Sequence, residues 1–286
     1  MTRRRLGVGD IELCVEDFGD PQHPTILLVG GAAASMDWWE PDFCTLLADG
    51  GRHVVRYDHR DTGESTTGEP GKPAYGGWQL GRDCQGLIER LGVGPVHLVG
   101  VSMGGGISQL IALRHPELVR TLTLADTSAV GGIDADLPGP SESLNESFAN
   151  PPADPDWSDP DSYADWVVAG QRPFVGSTGL DEPRVRAIAR QIHARSHDPA
   201  AANNHWIVVS GDEEEDESGP LDVRRITAPT LVLHGTDDPL FPLPHGRALA
   251  EAIPGATFVE MPGVGHEVPP PQVWDIVVPA LLEHTG

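Results

Sequence analysis

The first 125 residues alternate between short apolar runs and longer amphipathic stretches. Residues Ile11 to Phe18 alternate weakly, Thr25 to Val29 is an apolar run ending in Gly30-Gly31, and His53 to Tyr57 is a further strand candidate. Val96 to Val99 and Leu122 to Leu124 have the same character. From Trp78 to Leu91, the residues Leu80, Cys84, Leu87, Ile88 and Leu91 recur at three- and four-residue intervals, the period of one helix face. Met103 to Arg114 predicts a second helix, stopped near His115-Pro116 because proline lacks an N–H and crowds the preceding turn. Short apolar strands between helices imply an α/β fold: a mostly parallel sheet flanked by helices on both faces.

At about Thr127 the pattern changes. Residues 121 to 171 hold no Lys or Arg, while Pro, Gly, Ser, Asp and Asn dominate. Helical patterns follow at Tyr163 to Ala169 and Pro183 to His193, and then the acidic run Asp212 to Glu217. The strand–helix rhythm resumes near Ile226, with strands at Thr230 to His234 and Ala256 to Glu260. Helices are predicted at Pro244 to Ile253 and Gln272 to Glu283. We therefore expect one core built from residues 1–126 and 222–286, with residues 127–221 inserted as a cap. The acidic stretches read as solvated loops.

Charge narrows the partners. Nineteen Lys and Arg against 43 Asp and Glu give a net charge of −24, and Lys72 is the only lysine. Such a field repels phosphate backbones and anionic lipid, so neither nucleic acid nor a membrane surface is an expected partner. Cys14, Cys44 and Cys84 are odd in number and far apart, unlike a metal knuckle, and read as free buried thiols. No apolar core follows Met1-Thr-Arg-Arg-Arg, and no apolar run approaches a membrane span. A cytoplasmic monomer or homodimer acting on a small molecule is the expectation.

The chemistry starts at Val96-His-Leu-Val-Gly100-Val-Ser102-Met-Gly104-Gly105-Gly106. Gly-x-Ser-x-Gly between a strand and a helix is a nucleophile elbow, a turn so tight that larger side chains at positions 100 and 104 would clash. It lifts the Ser102 hydroxyl clear of the sheet. A phosphate-binding turn would instead need Gly-x-Gly-x-x-Gly or a following Lys-Ser/Thr, and neither is present.

A serine hydroxyl needs a base, and the base needs an orienting carboxylate. In this arrangement the chain order is Ser, acid, His. Leu231-Val-Leu-His-Gly235-Thr-Asp-Asp238-Pro239 and Phe258-Val-Glu-Met-Pro-Gly263-Val-Gly265-His266 both end strands in polar or glycine-flanked turns. They nominate Asp238 as the acid and His266 as the base. Asp237 is one residue off, and Asp126, after an earlier strand, is the serious competitor. His234 belongs inside a strand end, while His59, His97, His115, His205 and His245 have no comparable setting. The oxyanion donors should be the backbone N–H groups of Met103 and of Ala32, in the Gly30-Gly31 loop.

The segments Phe18-Gly-Asp-Pro21, Leu27-Leu-Val-Gly-Gly31, Tyr57-Asp-His-Arg-Asp-Thr-Gly-Glu-Ser65, Val99 to Gly105, Gly235 to Pro239 and Pro262 to His266 together resemble the α/β-hydrolase family. Within it the chain is most similar to polyketide-tailoring serine esterases of the aclacinomycin methylesterase kind. That resemblance implies hydrolysis of a carboxylic ester, such as the methyl ester of an aromatic polyketide, by a serine triad without a cofactor or metal. It covers nearly all of residues 10 to 284 except the insertion. Tryptophans near the insertion and the oxyanion loop, among them Trp38, Trp166 and Trp206, are candidates for a bulky, flat, neutral substrate. The same triad also serves lactone or C–C hydrolysis, acyl transfer and cofactor-free perhydrolase or haloperoxidase chemistry, and a non-catalytic ligand-binding role is the remaining alternative.

Overall fold

Eight strands form one sheet in the order β1-β2-β4-β3-β5-β6-β7-β8. They are β1 (Thr2–Val8), β2 (Ile11–Phe18), β3 (Thr25–Val29), β4 (His53–Tyr57), β5 (Val96–Val101), β6 (Val119–Ala125), β7 (Thr230–Gly235) and β8 (Thr257–Met261). The computed structural model describes residues 2–210 and 220–286; the acidic run Asp212 to Glu217 lies outside them. β1–β2 and β2–β4 pair antiparallel, and every other neighbour is parallel. β3 and β4 are buried at every position, which is why their sequences are apolar runs rather than alternations.

Successive side chains of a strand feed opposite layers. Leu27 and Val29 of β3 join the core beneath α2 (Gly77–Leu91), α3 (Met103–Arg114) and α8 (Pro244–Ala252). Ile26 and Leu28 join the core beneath α1 (Pro41–Asp49) and α9 (Trp274–His284). The predicted face of α2 is the buried one, through Leu80, Cys84, Leu87 and Ile88. All three cysteines are buried and free, as expected. Among the described residues no helix is long and apolar enough to cross a membrane.

Between β6 and β7 the chain runs through α4 (Glu142–Ala149), α5 (Pro160–Gln171), α6 (Glu182–Arg195) and α7 (Asn204–Ser210). α5 and α6 share an apolar cluster of Tyr163, Ala164, Val167, Val168, Val185, Ile188, Ala189 and Ile192. Asp159 and Asp181 cap their N-termini by accepting backbone N–H groups, and proline fills the first turn of each helix.

A buried ion cluster ties α6 to the sheet. Arg195 donates to Asp37 and to both carboxylate oxygens of Asp58, at 2.5 to 3.0 Å, while Asp58 also accepts the Met36 N–H. Burial pushes the Asp37 carboxyl up, but the hydrogen bonds and charge of Arg195 outweigh it and leave the group below its ordinary range. Removing the cation would leave two carboxylates buried without it. Arg195→Leu should therefore destabilise the fold by about 3–5 kcal/mol, measured as the urea unfolding midpoint; an unchanged midpoint would contradict it.

Candidate active site

The C-terminal ends of β5, β7 and β8 deliver three side chains to one point. Ser102 follows β5 and precedes α3, with φ 54° and ψ −120°. This is a region that L-residues occupy only where surrounding structure enforces it. The enforcement is visible. A Cβ on Gly100 would lie 2.2 Å from the Gly104 carbonyl oxygen, and one on Gly104 would lie 2.3 Å from that of Val29. The Ser102 N–H donates to the Ala125 carbonyl at 3.0 Å, pinning the elbow to β6.

The Ser102 Oγ stands 2.9 Å from His266 Nε2, and His266 Nδ1 stands 2.8 Å from Asp238 Oδ2. The other oxygen of Asp238 accepts the Leu240 and Phe241 N–H groups at 2.8 and 2.9 Å. The carboxylate is thereby fixed with one oxygen for the backbone and one for the imidazole. His266 is itself held by its backbone N–H, which donates to the Phe174 carbonyl at 2.8 Å. The glycines flanking it matter for the same approach, since a Cβ on Gly265 would lie 2.0 Å from that carbonyl oxygen. A hydroxyl, an imidazole and a carboxylate linked in this order can pass the hydroxyl proton to the ring while the carboxylate steadies the resulting cation.

The neighbouring candidates occupy other stations. Asp237 points away and accepts the Ser177 N–H at 2.9 Å. His234 lies inside β7 and donates to the Phe241 carbonyl at 2.7 Å. Asp126 is fully buried behind the site and takes the Gly235 N–H at 2.7 Å on one oxygen. Among the described residues its other oxygen has no hydrogen-bond partner. Burial, reinforced by the nearby Asp238 charge, pushes its pKa well above the ordinary carboxylate value and favours its neutral form. Asp126, His234 and Asp238 each bring one ligand atom within 4.8 Å of the others. A metal ion there would compete for the oxygen that holds His266, so the set fits a hydrogen-bonded scaffold better than a metal centre.

The Gly30-Gly31 loop abuts the nucleophile: a Cβ on Gly31 would lie 3.5 Å from Ser102 Cβ. Met103 opens α3, where backbone N–H groups have no intrahelical acceptor. Neither the Ala32 nor the Met103 N–H has a protein acceptor among the described residues. Two donors therefore remain free beside Ser102.

Trp38 and Trp166 pack on the α5–α6 cluster, where Trp166 meets Trp157 and Tyr163. Trp206, on α7, is 41% exposed. The rings beside the imidazole are phenylalanines, Phe241 edge-on at 5.5 Å between centroids and Phe174 at 6.0 Å. Glu267, next in sequence to His266, is pushed up to about 7 by burial despite the opposing charges of Arg184 and His266. None of these three was singled out in the sequence; the only cue for Phe241 was its place three residues after Asp238.

Comparison with known proteins gives the family and the fold. The profile of the alpha/beta hydrolase fold matches residues 24–270. The chain is 30% identical over 302 residues to rhodomycin D methylesterase DauP of Streptomyces sp. (strain C5), covering 100% of this chain and 98% of that protein. It is 31% identical over 304 residues to rhodomycin D methylesterase DnrP of Streptomyces peucetius, with the same coverage. Among solved structures, the enol-lactonase from Burkholderia xenovorans LB400 superposes with a TM-score of 0.72 at 22% identity, over 98% of this chain and 99% of that one.

Proposed function

The chain belongs to the alpha/beta hydrolase family, and on that premise we propose that it is a serine carboxylic-ester hydrolase with Ser102 as nucleophile, His266 as base and Asp238 as orienting acid. The observation that carries this is the unbroken pair of hydrogen bonds from Ser102 Oγ through His266 to Asp238, beside two unengaged backbone N–H groups.

In the proposed reaction Ser102 Oγ bonds to the ester carbonyl carbon as its proton passes to His266 Nε2. The carbonyl oxygen, now an anion, takes the Ala32 and Met103 N–H groups. His266 returns the proton to the alkoxy oxygen as the carbon–oxygen bond breaks, and the alcohol leaves. Water then attacks the acyl-Ser102 carbonyl with His266 again as base, releasing the acid and restoring the hydroxyl.

The substrate we propose is the methyl ester of a bulky aromatic polyketide, which would leave as methanol and a carboxylic acid. The naming of DauP and DnrP as rhodomycin D methylesterases supports this class, as their similarity spans the whole chain. Residues 127–221 serve in this proposal as the cap over Ser102. Phe174 and Phe241 flank the reacting centre, with Trp38, Trp166 and Trp206 as further aromatic surface around the entry. Neutral methyl esters of increasing ring number should show kcat/KM rising with size, in a panel read by methanol release. A preference for short, charged esters would contradict the proposal.

A further inference from the structure

The loop that offers Ala32 is tied more firmly than its turn requires. The Ala34 N–H donates to the Gly31 carbonyl at 3.3 Å, closing a β-turn whose third residue, Ala33, has φ 58°. Positive φ at the third position alone is the type II pattern, where glycine is the ordinary occupant. An alanine stays there only if something outside the turn holds it.

His205 does so. Its Nδ1 accepts the Ala33 N–H at 3.0 Å, and its Nε2–H donates to the Arg60 carbonyl at 2.9 Å. This pair of bonds needs the neutral ring with its proton on Nε2. The side chain is fully buried, and burial, the largest influence, lowers its pKa and keeps it neutral. His59 packs edge-on against it, with centroids 5.8 Å apart, and donates from Nε2 to the Gly30 carbonyl at 3.1 Å. Both ends of the loop are thus held by imidazoles, one following β4 and the other borne on α7.

We propose that His205 is a positioning residue for the oxyanion site: by holding the Ala33 N–H it fixes the peptide plane adjoining Ala32 and keeps the Ala32 N–H facing the space beside Ser102. The two peptides share the Ala32 Cα, so locking one restricts the other. The inference rests on the Ser102 mechanism above and deepens it. Because α7 carries His205, the seating of α7 and the completeness of the oxyanion site are linked.

The test compares His205→Leu, which removes the acceptor, with His205→Asn, whose Oδ1 can stand where Nδ1 stood. His205→Leu should lower kcat roughly 10–100-fold with little change in KM, since misplaced donors are lost chiefly in the transition state. Its affinity for an aryl trifluoromethyl ketone, whose serine adduct carries the oxyanion, should fall by a similar factor. His205→Asn should restore most of both. On the wild-type protein, an NMR coupling across the Ala33 N–H···Nδ1 bond should be present whether or not either variant folds. A missing coupling overturns the inference, as does full kcat and ketone affinity in His205→Leu, or equal impairment in both variants. If the wild type shows no Ser102-dependent ester hydrolysis, the underlying mechanism falls and this inference with it; an active wild type with a fully active His205→Leu sinks the inference alone.

Discussion

Ser102→Ala is expected to lower kcat on any cleaved ester by about 10⁶-fold while leaving the unfolding midpoint nearly unchanged. The size follows from the covalent route. Without the hydroxyl no acyl-enzyme forms, and only substrate binding and the two backbone donors remain to assist direct attack by water. The fold should tolerate the change because the elbow is held by backbone, through the Ser102 N–H to Ala125 and the close approach of Gly100 to Gly104. Alanine also loses no buried hydrogen bond except the one to His266. Steady-state assays beside thermal melts check both halves. Activity within tenfold of wild type would mean that another group attacks the ester.

The second large effect separates two carboxylates. Asp238→Asn should lower kcat by roughly 10⁴-fold, because an amide in place of the carboxylate favours the wrong tautomer of His266 and cannot offset the imidazolium charge. Asp126→Asn should cost less than about tenfold. Burial and the neighbouring Asp238 charge raise the Asp126 pKa, and Asp126 hydrogen-bonds to the Gly235 N–H while His266 pairs with Asp238. The amide oxygen can keep that bond. Measured kcat values for both variants decide it; the reverse order would transfer the orienting role to Asp126.

How far this arrangement could be read from the chain depends on how local each signal is. Ser102, Asp238 and His266 all sit where a strand ends in a glycine-rich or polar turn, so each advertises itself within ten residues although the partners lie 164 and 28 positions apart. The inner strands were equally legible, because burial on both faces demands uninterrupted apolar runs. β1 was not. Its Thr-Arg-Arg-Arg-Leu-Gly-Val sequence belongs to an edge strand whose arginines remain in solvent, with Arg3 and Arg4 paired to Glu16 and Asp17 of β2. α1, α4 and α7 were missed too; α4 and α7, at eight and seven residues, are too short for a periodicity to emerge.

Roles exercised through the backbone left no trace. His205 acts on an N–H 172 residues away, and nothing around Asn204-His-Trp206 distinguishes it from a surface histidine. Arg195 likewise reads as an ordinary helix-end cation until Asp37 and Asp58 are seen to surround it. The aromatic content suggested a flat pocket wall without telling which rings face it. Large aromatics serve cores as readily as sites, and Trp157, Trp166 and Tyr163 pack against one another beside the α5–α6 cluster.

The most direct measurement is peptide mass spectrometry after exposure to a fluorophosphonate, which captures only a serine made nucleophilic by its neighbours. Covalent modification is predicted at Ser102 of the wild type in step with loss of ester hydrolysis, and at no residue of Ser102→Ala. Hydrolysis that continues while Ser102 is fully phosphonylated, or inactivation with Ser102 left bare, would contradict a mechanism built on that hydroxyl.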